Sequence, residues 1–506
     1  MAQASPLWDN LFPSMNQANR NPLDHVPEQL ASECLIQLHN SASYPRAEIS
    51  RLAQLAGSQD PETAKSATTA IFASLVEPLA DSFEPAAVGA YNRAFSQFIQ
   101  HCRESDEGRA FDRELRGFNL LTEDDLVRRA EYLRRSSRLT RSGAEIKRVI
   151  LLSRVTLGAD VAITSVIFER MKRRFPEAEI VLVGGRKAAE LFGGDSRVSF
   201  KAVGYQRAGS LTERLTAWLE VLEAARALTE GLGPEEYLIV DPDSRLTQLG
   251  LLPVADSSNV KTSPTASASN YLFFPSREYG ASTSHSLAEL TSAWLNDLLG
   301  EDDTTRPRVH LNGADIEIAG ALIRRLRAEG PAVVSINFGV GENPGKSLGK
   351  QFENGLVRSL LEEGVRVILD RGAGEDEARR ADEVITGIRA SKKCVVEIDE
   401  DNLRQMLSSE SPQAELLVWS GRIGLLAALI GESDLYIGYD SAGQHIAAAL
   451  GVPCLDVMAG FSSPRMIDRW RPTGSAETRV IVARDSALEE TISQGRQMLR
   501  SVSHHL

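Results

Sequence analysis

The chain has 506 residues, of which 42% are hydrophobic, enough to bury two or three cores in a multidomain protein. Its formal net charge of −13 excludes a general nucleic-acid binder, because neutralising phosphates needs a basic surface. The four cysteines, Cys34, Cys102, Cys394 and Cys454, lie far apart without a C-x-x-C pair. This spacing excludes a compact zinc or redox motif and is typical of a reducing compartment.

The sequence also lacks the usual signals for export and membrane insertion. Its first ten residues, M-A-Q-A-S-P-L-W-D-N, contain no basic segment followed by an apolar run. No stretch of 18 consecutive apolar residues occurs anywhere. We therefore expect a cytoplasmic protein that does not span a membrane.

The N-terminal region has a helical pattern. Residues 1–24 are rich in Asn, Pro and Ser and are expected to be poorly ordered. Residues 25–145 form a helical extension, with helices predicted at Glu62–Leu79, Pro85–His101 and Asp124–Arg138. The last helix is opened by Thr122 with Asp125 three residues on, which is similar to a capping box.

This last helix and its exit are basic in an otherwise acidic protein. The basic residues are Arg128, Arg129, Arg134, Arg135, Arg138 and Arg141. Such runs are most often solvated faces, and the second interpretation is contact with an anionic acceptor or a membrane surface. Peripheral contact with the inner membrane is therefore a secondary expectation.

At Lys147 the pattern changes to alternating strands and helices. K-R-V-I-L-L-S, a helical segment and E-I-V-L-V-G-G predict a βαβ unit with parallel strands. Further strands are predicted at Tyr237–Val240 and Tyr271–Phe274. The Ser/Thr/Ala-rich loop at 254–270 between them is expected to be mobile and to admit substrates.

A second alternating series follows the polar linker at 301–308. Its predicted strands are Ala332–Asn337, Val365–Asp370, Cys394–Glu397, Glu415–Trp419, Leu435–Ile437 and Thr478–Ala483. Two series in one chain predict two doubly wound α/β domains, here 146–308 and 309–506. Ligands of such sheets bind beyond the carboxyl ends of the strands.

The most informative segment runs from Gly431 to Gly460. A strand ends at the turn Gly438–Ser441, and a helix of small residues, Ala442–Leu450, follows. Asp440, Ser441, Gly443 and His445 lie at the N-terminus of this helix, where backbone N–H groups and the helix dipole favour an anion. The alternative is that these residues are an ordinary helix cap and a packed histidine.

This segment resembles the Asp-Ser/Thr-Gly-x-x-His signature of the heptosyltransferase-like glycosyltransferases, glycosyltransferase family 9. Asp440, Ser441 and His445 match the signature, and Ala442 stands where the family usually has Gly. The resemblance implies a GT-B fold, two Rossmann-like doubly wound domains facing a cleft, here with the helical extension added. It also implies that Asp440, Ser441, Ala442, Gly443 and His445 hold the diphosphate of a nucleotide-sugar donor.

The turn after the first strand, R-V-T-L-G-A-D-V, resembles the family's Gly-Asp-Val/Ile turn. The resemblance makes Asp160 the general base that activates an acceptor hydroxyl, with Ala159 inserted after Gly158. Either the turn is one residue longer here or the alignment shifts by one residue. The alternative role for Asp160 is a helix cap.

The turn at 337–352, N-F-G-V-G-E-N-P-G-K-S-L-G-K-Q-F, resembles the family's glycine-rich turn followed by Lys. Asn337 and Gly339 are expected to bind the donor, and Lys346 to neutralise charge on the departing diphosphate. The aromatic-Pro pair that usually follows this lysine is absent. Lys350 is the competing candidate, and the alternative for either lysine is a surface residue without a ligand.

Two other segments are similar to known binding motifs. Asp241 and Asp243 form the D-x-D that metal-dependent glycosyltransferases of a different fold use, but this spacing is common in polar turns. The segment V-G-G-R-K-A-A-E-L-F-G-G lacks the G-x-G-x-x-G spacing of a dinucleotide site. We therefore expect neither a metal nor a cofactor.

The sequence thus predicts an inverting glycosyltransferase that moves a sugar from a nucleoside-diphosphate sugar to a hydroxyl of a glycan or glycolipid acceptor. A role in cell-surface glycan or lipopolysaccharide synthesis is part of what the resemblance implies. Two alternatives stay open at this point: a nucleotide-sugar epimerase on the same fold, and a non-catalytic binding or scaffold protein with a degenerate site.

Overall fold

The computed structural model describes residues 25–40, 43–135, 139, 145–207, 209–255, 270–328, 330, 332–341, 343–408, 414–461, 463–483 and 487–503. Three expectations from the sequence lie outside these residues: the order of residues 1–24, the positions Arg138 and Arg141, and the character of the loop at 256–269. In the described part of the chain, no helix is both long and apolar enough to cross a lipid bilayer.

The N-terminal region is helical, as the sequence predicts. Its helices are α1 (His25–Asn40), α2 (Arg46–Ala56), α3 (Pro61–Ala70), α4 (Glu77–Asp81), α5 (Pro85–Arg103), α6 (Arg109–Gly117) and α7 (Glu123–Leu133). A π-helical turn, Ile71–Val76, joins α3 to α4, so the helix predicted over Glu62–Leu79 is confirmed. The capping box of α7 is also confirmed, because the Thr122 hydroxyl accepts from the Asp125 N–H and the Asp125 carboxylate accepts from the Thr122 N–H.

The first parallel sheet begins with the predicted βαβ unit. Its strands are β1 (Arg148–Leu152), β2 (Glu179–Gly184), β3 (Val198–Ala202), β4 (Tyr237–Asp241) and β5 (Tyr271–Phe273), in the order β3-β2-β1-β4-β5. Ile150 lies opposite Val181 in the parallel pair of β1 and β2, which confirms the predicted parallel pairing. The strands predicted at Tyr237 and Tyr271 are confirmed as β4 and β5.

The helices of this part of the chain follow the strands. They are α8 (Leu157–Ala159), α9 (Ser165–Arg174), α10 (Arg186–Phe192), α11 (Leu211–Thr216), α12 (Trp218–Thr229), α13 (Leu287–Leu299) and α14 (Gly313–Arg327). A π-helical turn at Asp160–Thr164 joins α8 to α9. The candidate base Asp160 therefore lies inside a helical segment rather than before it.

The second sheet is parallel throughout the described strands. These strands are β6 (Val333–Asn337), β7 (Arg366–Asp370), β8 (Val395–Asp399), β9 (Leu416–Ser420), β10 (Leu435–Tyr439), β11 (Cys454–Met458) and β12 (Thr478–Val482). Their order is β12-β11-β10-β6-β7-β9-β8. The accompanying helices are α15 (Lys350–Glu362), α16 (Glu375–Ala390), α17 (Leu403–Ser408), α18 (Ile423–Gly431), α19 (Ala442–Leu450), α20 (Pro464–Trp470) and α21 (Ala487–Ser503).

The second sheet has two different faces. Alternate residues of β10, namely Leu435, Ile437 and Tyr439, belong to a buried apolar cluster that α15, α16 and α21 complete. Tyr436 and Gly438 point to the opposite face, where α19 packs. Helices on both faces of parallel sheets confirm the predicted α/β, doubly wound fold class, and the described N-terminal helices confirm its helical extension.

The strand order reverses between β6 and β10. From β6 the chain passes to β7 on one side, and later strands, beginning with β10, pair on the other side. The connections of β6 and β10 therefore leave the sheet in opposite directions and open a crevice at their carboxyl ends. Asn337, the last residue of β6, lies opposite Gly438.

Backbone packing divides the chain into two units. One comprises Met1–Thr140, Val203–Ser284 and Ser462–Met466, and the other comprises Arg141–Ala202, His285–Phe461 and Ile467–Leu506. Every candidate site residue named from the family resemblance lies in the second unit. The domain limits inferred from the sequence stay predictions.

Candidate anion-binding site at the carboxyl ends of β6 and β10

The crevice is bordered by two turns. The turn after β10 holds Asp440 and Ser441, and the glycine-rich loop after β6 leads to Lys346. The Ser441 hydroxyl lies 3.5 Å from the Asn337 Oδ1 atom, the limit of a hydrogen bond. The same Asn337 oxygen accepts a 2.7 Å hydrogen bond from the Gly339 N–H. The two turns that the sequence predicted to bind a donor are thus adjacent.

The N-terminus of α19 has no side-chain cap. Ser441 is its N-cap residue, with extended backbone angles, but the Ser441 side chain makes no capping hydrogen bond. Uncapped first-turn N–H groups and the positive end of the helix dipole together favour an anion. The helix has nine residues, so its dipole is developed over more than two turns.

Gly443 is fixed by its neighbour Tyr436. A Cβ atom added at position 443 would lie 2.0 Å from the Tyr436 hydroxyl, and one at position 438 would lie 2.5 Å from it. A side chain at position 443 would therefore collide with Tyr436, so this position requires glycine. The preceding position, 442, holds alanine. The packing of Tyr436 thus explains why position 443 holds glycine.

Lys346 reaches across the crevice to Asp440. Its Nζ atom donates a 2.5 Å hydrogen bond to the Asp440 Oδ2 atom and lies 3.4 Å from the Asp440 carbonyl oxygen. The side chains are 18% and 9% exposed, so the pair is at the wall of the site rather than on the open surface. The competing Lys350 is 66% exposed and lies 3.9 Å from Glu383. Of the two lysines, the structure places Lys346 beside the α19 N-terminus.

His445 is buried beneath this site. Burial lowers its pKa to about 4, so the ring is neutral at neutral pH. Its ring packs edge-on against Trp470, with centroids 5.9 Å apart. A Cβ atom at Gly158 would be 3.1 Å from the His445 ring and 3.3 Å from the Ala442 Cα atom. Gly158 thus brings the turn after β1 into direct contact with α19.

Asp160 is enclosed by its own turn. The residue is 1% exposed, and its carboxylate accepts from the Ser153 hydroxyl at 2.6 Å, the Arg154 N–H at 2.7 Å and the Thr164 hydroxyl at 2.8 Å. Burial is the largest cause of a raised pKa, which these hydrogen bonds oppose. Val155, within this turn, has a φ of 78°, a strained conformation for a β-branched residue. The carboxylate therefore stabilises the turn that carries Gly158.

Three further polar residues belong to this region although the sequence analysis did not select them. Gln444 donates from its Nε2 atom to the Asp440 Oδ1 atom at 2.9 Å. Asp370 accepts from the Asn337 side-chain amide, and burial raises its pKa to about 6. Asp456 lies on β11, next to β10. The sequence does mark the two acids, because each carboxylate interrupts or ends an apolar strand. Asp370 ends V-I-L-D of β7, and Asp456 lies within C-L-D-V-M of β11.

The D-x-D pair is committed to internal contacts in the first unit. Asp241 accepts from the Ser244 N–H and the Thr247 hydroxyl, each at 2.6 Å, and from the Tyr271 hydroxyl at 2.5 Å. Asp243 forms a buried ion pair with Arg277, with the Nε atom 2.9 Å from Oδ2. Both acids shape the loop after β4.

A different group of metal-ligand residues occurs in the described part of the second unit. Glu169, Asp195 and His310 lie close enough to share one ion. The Lys172 Nζ atom, however, lies 2.7 Å from Glu169 and 2.5 Å from Asp195. The Lys172 ammonium group therefore pairs with the two carboxylates that would otherwise be ligands of a metal ion.

The fold is doubly wound α/β, and the crevice at the carboxyl ends of β6 and β10 is a candidate anion-binding site. No protein-family model and no curated protein matches the sequence. Among solved structures, the chain is similar to a family 9 glycosyl transferase from Veillonella parvula, with 14% identity, a TM-score of 0.49, and coverage of 70% of this chain and 98% of that one.

Two heptosyltransferases of E. coli are also similar in backbone. For ADP-heptose lps heptosyltransferase II the identity is 14% and the TM-score 0.47, over 71% of this chain and 99% of that one. For heptosyltransferase WaaC with ADP the identity is 16% and the TM-score 0.44, over 70% and 99%. At these values the likeness describes the backbone and assigns neither a family nor an activity.

Proposed function

We propose that the protein is an inverting glycosyltransferase that transfers a sugar from a nucleoside-diphosphate sugar to an acceptor hydroxyl. The observation that carries the proposal is that the Lys346 ammonium group and the uncapped N-terminus of α19 lie at one crevice. Both features stabilise a diphosphate, and they lie where doubly wound sheets bind nucleotides. The proposal that a sugar is transferred rests on the resemblance of Asp440, Ser441 and His445 to the signature of family 9 glycosyltransferases.

In this proposal the donor diphosphate lies against α19. Backbone N–H groups of Ala442 and Gly443 and the Ser441 hydroxyl bind its oxygens, with Asn337 and Gly339 holding the adjacent loop. Lys346 exchanges its contact with Asp440 for the phosphate and neutralises the charge that grows as the nucleoside diphosphate leaves. Neutral His445 supports the base of the helix.

The acceptor hydroxyl is activated by Asp160 in the same proposal. A raised pKa makes this carboxylate a stronger base than an ordinary aspartate. The Ser153 and Thr164 hydroxyl groups already donate hydrogen bonds to the two carboxylate oxygens of Asp160. An acceptor hydroxyl therefore has to replace one of these two donors. The acceptor is a glycan or glycolipid, at the cytoplasmic side of the inner membrane in a lipopolysaccharide pathway.

The reaction needs no metal in this proposal, because the ammonium group and the helix N-terminus carry the leaving-group charge. Treatment with EDTA should therefore leave turnover unchanged. A loss of turnover that a divalent ion restores would contradict the metal-free reaction and return Asp241 and Asp243 to consideration, although both are paired here.

A non-catalytic binding protein is the second candidate. The observation that favours it is the enclosure of Asp160, whose carboxylate is 1% exposed. Such a protein would bind the nucleotide sugar and release it unchanged. An epimerase would alter the sugar without any acceptor.

One experiment separates the three. Thermal shifts are measured with ADP-, GDP-, UDP- and dTDP-linked sugars, since a ligand at a hundred times its Kd stabilises by about 2.7 kcal/mol. The donor that stabilises is then incubated with and without a glycan acceptor, and products are analysed. Acceptor-dependent transfer with inverted configuration supports the transferase. Binding with no product favours the binding protein, and a changed sugar without acceptor favours the epimerase.

A further inference from the structure

A carboxyl group without a protein partner is buried beside the candidate site. Asp456, the third residue of β11, is 0% exposed. Among the described residues, neither of its carboxyl oxygens has a hydrogen-bond partner. An unpartnered buried polar group costs stability, so its presence calls for a physical reason.

Strand register places Asp456 close to the Lys346–Asp440 pair. Asp456 lies opposite Gly438 of the neighbouring strand β10. Asp440 follows Gly438 by two residues, so it continues on the same face of the sheet. Gly438 has no side chain, and the Tyr436 hydroxyl lies over it. Asp456 and Asp440 are therefore neighbours on adjacent strands, on the face where α19 packs.

Among the described residues, the charged groups that interact with Asp456 are the Asp440 carboxylate and the Lys346 ammonium group. The titratable groups that interact with it are Asp440 of the turn after β10, Lys346 of the loop after β6, Tyr436 of β10 and Cys454 of β11. His445 of α19 faces Asp440 and Lys346, and β12 presents Val480. Burial is the first cause of a raised pKa at Asp456, Asp440 raises it further, and Lys346 lowers it. Two ionised carboxylates would leave a net negative charge at a site that receives an anion.

We propose that Asp456 is a positioning residue: a neutral carboxylic acid beside the Lys346–Asp440 pair that allows the Lys346 ammonium group to leave Asp440 for an anionic ligand. The O–H group of Asp456 donates a hydrogen bond to the Asp440 carboxylate when the ammonium group departs. No proton is transferred and no bond to carbon changes. Gln444 continues to donate to the Oδ1 atom of Asp440, and the Asp456 O–H group replaces the ammonium group at the Oδ2 atom.

This inference deepens the proposed function and rests on its anion site, but pyrophosphate tests it without any sugar or base. In the free protein, Lys346 is held by Asp440 at 2.5 Å. Removal of that donor from a carboxylate with 9% exposure is costly unless another donor replaces it. The Asp456 acid is placed to be that donor.

The ligand experiment compares Asp456→Asn with Asp456→Val by calorimetric titration of inorganic pyrophosphate at pH 7. The asparagine amide can donate to Asp440, so its affinity should stay within about threefold of the wild type. Valine has a similar size and no donor, so its affinity should fall about tenfold or more. Cys454→Ala, on the same strand and face, is the matched control and should bind as the wild type does.

A ligand-free experiment tests the protonation state. Above the ordinary aspartate pKa, near 3.9, the folded protein holds a proton that the unfolded chain releases, so this group lowers stability as pH rises. Asp456→Asn removes that cost. Its melting temperature should therefore exceed the wild-type value by a few degrees at pH 7, and the gain should shrink towards pH 4.

The results that would overturn this inference differ from the result that would refute the proposed function. Equal pyrophosphate affinity in wild type and Asp456→Val overturns the inference, as does an equal loss in the asparagine and valine variants. A stability gain for Asp456→Asn that does not change with pH also overturns it. Pyrophosphate binding that follows the expected pattern, with no binding of any nucleotide sugar, leaves the inference standing and refutes the proposed function instead.

Discussion

Two turns of the second unit have the same strand-turn-helix arrangement and differ in the hydrogen-bond donors of their aspartate. After β1 and after β10, a buried parallel strand leads through a short turn to a helical segment. Asp160 accepts hydrogen bonds from Ser153, Arg154 and Thr164 of its own turn. Asp440 accepts from Gln444 of the following helix and also from Lys346, which is 94 residues away in the chain.

The difference separates a structural carboxylate from an exchangeable one. Neighbours within the same turn hold Asp160, and one of them, Ser153, also accepts a 2.8 Å hydrogen bond from the N–H group of Val155, the residue with a φ of 78°. The two donors of Asp440 are the side chains of Gln444 and Lys346, and the flexible lysine can rotate away without moving the backbone. We infer that the β10 turn is organised for a ligand in its present form, whereas the β1 turn has to rearrange before Asp160 meets an acceptor.

The largest effect should come from deleting the carboxylate of Asp160. Asp160→Ala leaves three buried donors without their acceptor, and we expect a loss of about 3 to 5 kcal/mol in the free energy of unfolding. Asp440→Ala removes the acceptor of two side chains at the wall of the site, Lys346 and Gln444, and should cost less, about 1 to 2 kcal/mol. Denaturant unfolding of both variants measures the contrast, and equal losses would remove the distinction between the two turns.

Asp160→Asn separates catalysis from folding. The Asn oxygen can keep the Arg154 and Thr164 contacts while its amide donates to Ser153, so the fold should be retained. Turnover should fall about a hundredfold or more because the amide cannot take a proton, and donor affinity should barely change. A folded variant that transfers sugar at the parent rate would exclude Asp160 as the base.

A smaller effect is expected at Gly443. Gly443→Ala places a Cβ atom 2.0 Å from the Tyr436 hydroxyl, which should cost about 1 to 3 kcal/mol of stability through overpacking. Tyr436→Phe in the same chain should recover part of that loss, as a thermal melt of the single and double variants would show. No recovery would mean that the backbone of α19, and not the hydroxyl, sets the requirement for glycine.

Much of the fold followed from the sequence because buried strands carry their own signal. V-I-L-L of β1 and L-Y-I-G of β10 are apolar runs that end at polar turns, and both became parallel strands. The capping box at Thr122 was also visible, since it depends on two residues three apart. Local patterns of this kind need no knowledge of distant contacts.

The site was only partly predictable, because its decisive contacts join distant segments. The sequence left Lys346 and Lys350 as competitors, and only the packing of the loop against β10 shows which one reaches Asp440. The enclosure of Asp160 depends on Ser153 and Thr164, on either side of it in the chain. Asp456 belongs to no recognisable motif. Its position beside Asp440 follows only from the pairing of β11 with β10.

The central claim is that Lys346 and the α19 N-terminus form a diphosphate site. The most direct measurement is a calorimetric titration of the stabilising nucleoside diphosphate into wild type, Lys346→Ala and the matched control Lys350→Ala. Loss of a charge-assisted contact at Lys346 should weaken binding about tenfold to a hundredfold, while Lys350→Ala should match the wild type. Unchanged affinity in Lys346→Ala, or the loss appearing in Lys350→Ala instead, would contradict the account.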